Sequence, residues 1–148
     1  MYWRKIRLMN IMIFLGIFKY KKRNSNSGEE SPPTLKWPDH VVSLDEGNFE
    51  EFIQKYPWAM VDFWASWCAP CRTMAPRLRR LSKIYKGRVA FGKLDTQENQ
   101  NIAKQYKITG IPHLVIFRYG KKATSAIGVR SVGDVKNMIN HLLKKKDK

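Results

Sequence analysis

The chain holds two cysteines in 148 residues, three histidines, and 12 acidic side chains against 28 Lys and Arg. The cysteines, Cys68 and Cys71, are three positions apart. A staple between them would close a loop of about four residues and remove little chain entropy, so no disulfide framework holds this fold. His40, His113 and His141 show no paired spacing with the cysteines, so a structural zinc site is not expected. No internal repeat is present. The longest apolar run, Leu8 to Phe18, is interrupted by Asn10 and Gly16 and falls well short of the roughly 20 residues a membrane-crossing helix needs.

The shortage of acid leaves a formal charge of +16, spread along the chain: the first 28 residues hold seven basic groups and no acidic one. Such a charge favours anionic partners, such as acidic protein faces, nucleic acid or lipid headgroups. The usual nucleic-acid motifs are absent, so no nucleic-acid partner is expected, and the simplest reading is a basic, solvated surface.

Residues 1–38 read as a basic, apolar extension followed by a linker. Arg4, Lys5 and Arg7 resemble the charged start of a signal peptide, but Lys19, Lys21, Lys22 and Arg23 stand where small residues and a cleavage site belong. Were the segment to insert, its heavier positive flank would hold the following domain in the cytoplasm. Resting on an anionic membrane surface is the cheaper option. A disordered extension, or translation starting at Met9 or Met12, fits equally. Asn24 to Pro38, rich in Ser, Asn, Glu and Pro, reads as the linker, and a single domain is expected over 39–148.

HVVSL predicts a short strand, and Phe49, Phe52 and Ile53 fall on one face of a helix ending at Lys55. WAMVDFWA, residues 58–65, is a nearly continuous apolar run of the kind that forms a strand buried on both sides. A helix follows the cysteines, with Met74, Leu78, Leu81, Ile84 and Tyr85 inward and Gly87 as its stop. RVAFGKLD predicts a strand, ENQNIAKQY a helix, HLVIFRYG and KKATSAIG a hairpin, and SVGDVKNMINHLLKKK an amphipathic last helix. This alternation, closed by a hairpin, predicts an α/β fold with a central mixed sheet and helices on both faces.

With staple and zinc set aside, Cys-x-x-Cys suits a dithiol that opens and closes. Cys68 falls between a buried strand and a helix, where free backbone N–H groups and the helix dipole stabilise a thiolate. Cys71, one turn on, faces the same side and suits a less exposed second thiol. Pro70 fits the first helical turn and stiffens the loop. Asp62 puts a carboxylate inside an apolar strand, at a cost in free energy that a proton acceptor for Cys71 would justify; a structural pairing with a lysine is the plainer alternative.

VDFWASWCAPC, then GIPHLVIF, then AIG resembles the thioredoxin family over roughly Val41 to Leu143, with Pro112 placed 41 residues beyond Cys71 and glycines at 120 and 128. The resemblance implies a thioredoxin fold and a protein-disulfide reductase in which Cys68 attacks and Cys71 resolves. It implies that Asp62 moves the proton on Cys71, that Lys93 tunes Asp62, and that Pro112 is a cis-proline packed against the sulfurs. Trp67, Ala69, Pro70, Ile111, Ile127, Gly128 and Val129 would form the docking surface. It further implies protein disulfides as substrates, recycling by a separate thioredoxin reductase and no bound cofactor; a monomer of the cytoplasm is expected, with the basic, apolar extension giving peripheral membrane contact. Two departures stand out. Ala69-Pro70 replaces the family's common Gly-Pro, and His113 stands where Thr is usual, either as a partly exposed strand residue or as a positive charge beside the sulfurs below about pH 6.5. A membrane-tethered extracytoplasmic oxidoreductase and a non-redox interaction module on the same fold are the alternatives.

Overall fold

The computed structural model describes residues 35–145, so all but the last four residues of the extension and linker expected over 1–38 lie outside the described residues. The elements run β1 Val42–Leu44, α1 Phe49–Lys55, β2 Trp58–Trp64, α2 Ala69–Ile84, β3 Ala90–Asp95, α3 Gln100–Gln105, β4 His113–Arg118, β5 Lys121–Ile127 and α4 Val132–Lys144. The five strands form one sheet in the order β1-β3-β2-β4-β5. β3 is parallel to β1 and β2, and the β2–β4 and β4–β5 pairs are antiparallel. The mixed α/β sheet read from the sequence is therefore the observed one.

Strand β2 is central, and its apolar run sends alternate side chains to two cores. Val61 and Phe63 join Val115 and Phe117 under Phe49 and Ile53 of α1 and Ile102 of α3. Met60 joins Leu114 and Ile116 under Met74, Leu78 and Leu81 of α2 and Val135 and Ile139 of α4. Burying each such side chain contributes about 1.5–3 kcal/mol, which fixes the strand register that carries Asp62. Ahead of β1, Trp37 packs on the Tyr56 ring at 5.1 Å and Lys36 accepts a hydrogen bond from the Tyr56 hydroxyl.

The hairpin between β4 and β5 turns on Tyr119 and Gly120, both at positive φ (45° and 79°), the backbone that a two-residue turn of matching twist requires. Helix α2 keeps Pro76 in its interior and ends with the Tyr85 N–H bonded to the Leu81 carbonyl at 2.9 Å. Ile84, expected inward, is 40% exposed. At 100° per residue it sits about 80° from the Met74–Leu78–Leu81 stripe, on the flank that turns to solvent.

Candidate functional site

Strand β2 delivers the chain to the carboxyl edge of the sheet, and a short loop, Ala65 to Trp67, leads into α2. Cys68 is the N-cap of that helix: its backbone is extended, its N–H bonds the Ala65 carbonyl at 3.1 Å, and its Sγ accepts from the Cys71 N–H at 3.2 Å. Pro70, in the first turn, has no N–H to leave unpaired. Cys68 and Cys71 are joined as a disulfide, their Cα atoms 5.3 Å apart. Both are buried, at 3% and 2% exposure, beside Ala65, Trp64 and Ile111, so the expected difference in access does not appear in the oxidised pair. The first-turn amides and the helix dipole point at these sulfurs and favour thiolate once the bond opens.

Asp62 shares the α2-facing side of β2 with Met60, a consequence of strand alternation. It is buried and its Oδ1 has no hydrogen-bond partner. A partly open cavity of about 220 Å³ is lined by Asp62 and Cys71 together with Trp64, Lys93, His40, Arg72 and Arg79, so the buried carboxyl group and the second cysteine border one space. Burial pushes the Asp62 carboxyl up to about 7, against the opposing pull of the Lys93 ammonium. Lys93 pairs with Asp62 in the β2–β3 register, is exposed, and holds its Nζ 5.3 Å from the centre of the Trp64 ring.

The Ile111–Pro112 peptide bond is cis. Pro112 is buried and its carbonyl accepts from the Gly128 N–H at 2.8 Å, which ties this loop to the segment after β5; Gly128 there takes a φ of 88°. Trp67, Ile127 and Val129 are exposed at 65%, 50% and 43%, and Ala69 and Pro70 are exposed beside them, while Ile111 is half-buried. These side chains form an apolar platform that a substrate chain can cover.

His113 departs from both expectations. It is buried at 4% exposure, on the face of the sheet opposite Asp62, with its ring 6.5 Å from that of Phe63 and neither nitrogen hydrogen-bonded. Desolvation, helped by the positive charge of Lys122, holds its pKa below the ordinary histidine value, so it adds no positive charge to the sulfurs near neutral pH. Strand alternation explains the placement: one residue after Pro112, the side chain falls on the inward face with Val115 and Phe117.

Sequence reasoning missed three basic residues of the cavity wall, His40, Arg72 and Arg79. Arg72 and Arg79 are seven apart on α2, a helical repeat that could have grouped them. His40 has no local signal, since only the fold brings the start of β1 beside β3. Among the described residues, no group of three or more His, Cys, Asp or Glu could hold a metal ion.

Fold and site together define a class: a thiol–disulfide oxidoreductase whose redox pair sits on a helix end over a buried carboxylate. The family model described as Thioredoxin matches residues 40–141. The chain is 37% identical over 101 residues to a thioredoxin of Buchnera aphidicola subsp. Acyrthosiphon pisum, covering 68% of this chain and 94% of that one. Identity to the chloroplastic M-type thioredoxin of Spinacia oleracea is 41% over 90 residues, 60% of this chain and 49% of the relative. The structure of a mutant thioredoxin from Halobacterium salinarum NRC-1 superposes with a TM-score of 0.67 at 26% identity, covering 72% of this chain and 93% of that one. The chain belongs to the thioredoxin family, and it is a protein-disulfide oxidoreductase.

Proposed function

We propose that the protein reduces disulfides of other proteins with Cys68 as the attacking and Cys71 as the resolving thiol. The observation that carries this assignment is the cavity shared by Asp62 and Cys71, with Cys68 disulfide-bonded to Cys71 at the cap of the same helix. The Cys68 thiolate attacks one sulfur of the substrate disulfide, forming a mixed disulfide and releasing the other substrate sulfur as a thiolate that takes a proton from water. Asp62 then accepts the Cys71 proton, and the Cys71 thiolate attacks Cys68 Sγ. The second substrate sulfur leaves and is protonated. Two electrons have passed to the substrate, and Cys68–Cys71 is left oxidised.

A separate thioredoxin reductase returns the pair to the dithiol, so the domain works without a bound cofactor. Pro112 shapes the groove beside the sulfurs, the Ile111 backbone pairs with an extended substrate, and Trp67, Ala69, Pro70, Ile127, Gly128 and Val129 complete the platform. Lys93 lowers the cost of ionising Asp62. We place the protein in the cytoplasm as a monomer, with the basic residues of the first 28 positions giving peripheral contact with anionic lipid.

Trapping tests the thiol order. Cys71→Ser accumulates a mixed disulfide with substrate, and Cys68→Ser forms none and loses turnover; catalysis that survives in Cys68→Ser sinks the assignment. Equilibration in a dithiol buffer tests direction. A potential near that of thioredoxin, about −270 mV, supports a reductase, and one near the strongly oxidising end, about −120 mV, makes the protein a disulfide donor.

A further inference from the structure

Residues 63–94 contain eight Lys or Arg and no Asp or Glu. The strand-to-helix loop, all of α2 and most of β3 thus carry charge of one sign, and the redox chemistry above uses only Lys93 of it. Geometry orders part of this charge. At 100° per residue, Arg79 and Lys83 lie seven and 11 positions beyond Arg72 and within about 20° of it, so the three form one stripe. All three are exposed. The stripe starts at the residue after Cys71 and extends about 16 Å along the helix, away from the disulfide.

The near end of the stripe is fixed. Arg72 Nη1 donates to the Ser66 carbonyl at 3.2 Å, which holds it against the loop bearing Trp67. Arg72 and Arg79 of α2 line the cavity together with Lys93 of β3 and His40. Among the described residues the one ion pair of a Lys or Arg is that of Lys86 with Asp39, at 3.9 Å, so no stripe residue is paired with a carboxylate there. Arg79 and Lys83 stand at i and i+4, and Arg77 and Arg80 at i and i+3, spacings at which like charges destabilise a helix. That internal repulsion is relieved when an anion from outside covers the face.

We propose that Arg72, Arg79 and Lys83 are a specificity determinant that selects protein substrates bearing Asp or Glu beside the disulfide being reduced. The inference rests on the reductase reading above. A polypeptide is the occupant because Arg72, bonded to the Ser66 carbonyl, joins the stripe to the loop bearing Trp67, so that a chain seated on Trp67 with its disulfide at Cys68 would continue over α2. At about 3.3 Å per extended residue, 16 Å takes in the five or so residues on one side of the substrate cysteine. Clusters of like charge next to a docking surface raise encounter rates with oppositely charged partners and lower them with like-charged ones.

The full chain is assayed on three disulfide-bridged peptides of one core sequence, flanked by four Glu, four Gln or four Lys. At 20 mM salt kcat/KM falls in the order Glu, Gln, Lys, with a Glu-to-Lys ratio of at least about tenfold, the low end of electrostatic steering. At 500 mM salt the ratio collapses towards one, because the screening length shortens to a few ångströms. Arg79→Glu with Lys83→Glu lowers the ratio at least about tenfold at low salt. Lys55→Glu with Lys121→Glu, the same change of charge at the other end of the sheet, leaves it within about twofold. Equal kcat/KM on the Glu and Lys peptides overturns the proposal, as does an equal loss of ratio in the two double variants, which would make net charge the cause. Stripe-dependent binding to 3:1 phosphatidylcholine–phosphatidylserine vesicles or to a 20-base-pair DNA duplex, without peptide preference, overturns it in favour of a lipid or nucleic-acid face. Failure of the wild type to reduce even the Gln peptide removes the reductase reading, and the proposal with it.

Discussion

Asp62 and His113 are buried titratable side chains on opposite faces of one sheet, and burial drives their pKa values in opposite directions, as desolvation must for an acid and a base. The Asp62 carboxyl, at about 7 in the fold against an ordinary 3.8, binds its proton more tightly folded than unfolded. Stability from this group is therefore greatest below the unfolded value, falls between about pH 4 and 7, and levels off above, for a total on the order of 4 kcal/mol. Asp62→Asn removes that slope: in urea titrations of the oxidised protein, the variant gains on wild type as pH rises from 4 to 7, and parallel curves would mean that Asp62 is not buried as a charge. The same substitution slows resolution of the mixed disulfide about 10²-fold in stopped-flow at pH 7.5, the low end of the range for a lost general base, while wild-type resolution accelerates as pH passes about 7. His113 has the contrary sign. Its folded pKa lies below the ordinary 6.5, so the unfolded state takes up the proton first and stability drops as pH falls below that value. His113→Val, which keeps a strand-forming side chain, flattens stability between pH 6.5 and 5 and leaves the reduction potential within a few millivolts; a large shift in potential would return the histidine to the redox site.

At the scale of elements, the strand interior holds a constraint that periodicity does not announce. Gly92 sits in the middle of β3, and a Cβ there would lie 2.5 Å from Leu44 Cδ1 and 3.1 Å from Phe52 Cε1. β1 and α1 close over that point because no side chain intervenes. Gly92→Ala is expected to destabilise the domain by about 1–3 kcal/mol, the usual range for overpacking, read as a lower urea midpoint with an unchanged slope; an unchanged midpoint would show that Leu44 repacks freely. Gly92 illustrates what the sequence leaves illegible. The apolar run of β2, the inward stripe of α2 and the amphipathic pattern of α4 are local patterns, and each element they mark is present. The order of elements was legible for the same reason. What depends on contact between distant segments was not: the glycine under Leu44, the inward turn of His113 and the His40 wall of the cavity follow from strand pairing, and Ile84 is lost to solvent by about 80° of helical rotation. The redox pair was legible from its spacing, and the cis-proline through resemblance. The carboxylate stood out on physical grounds alone, as a charge in a buried strand.

For the molecule as a whole, charge is the property the fold does least to resolve. With 28 cationic and 12 anionic side chains, and with the ion pairs of the described residues all centred on Asp39, like charges outnumber favourable pairs over much of the surface. Folding brings those charges closer than they are in the expanded chain, so repulsion opposes the compact state. Salt weakens it: the screening length falls from about 30 Å at 0.01 M to about 10 Å at 0.1 M. The protein is therefore expected to melt higher in 200 mM than in 10 mM sodium chloride, by about 4 °C if the relief is on the order of 1 kcal/mol. A protein held by surface ion pairs would shift the other way, so a fall in Tm with salt would contradict this reading of the surface. The source of the gain can also be located. If repulsion is concentrated on α2, Arg79→Gln with Lys83→Gln raises Tm at low salt and shrinks the salt-dependent increment, whereas Lys55→Gln with Lys121→Gln, equal in net charge, does so less. Equal increments in the two variants would show that the strain is distributed over the surface, and that the cationic face beside the disulfide carries no special share of it.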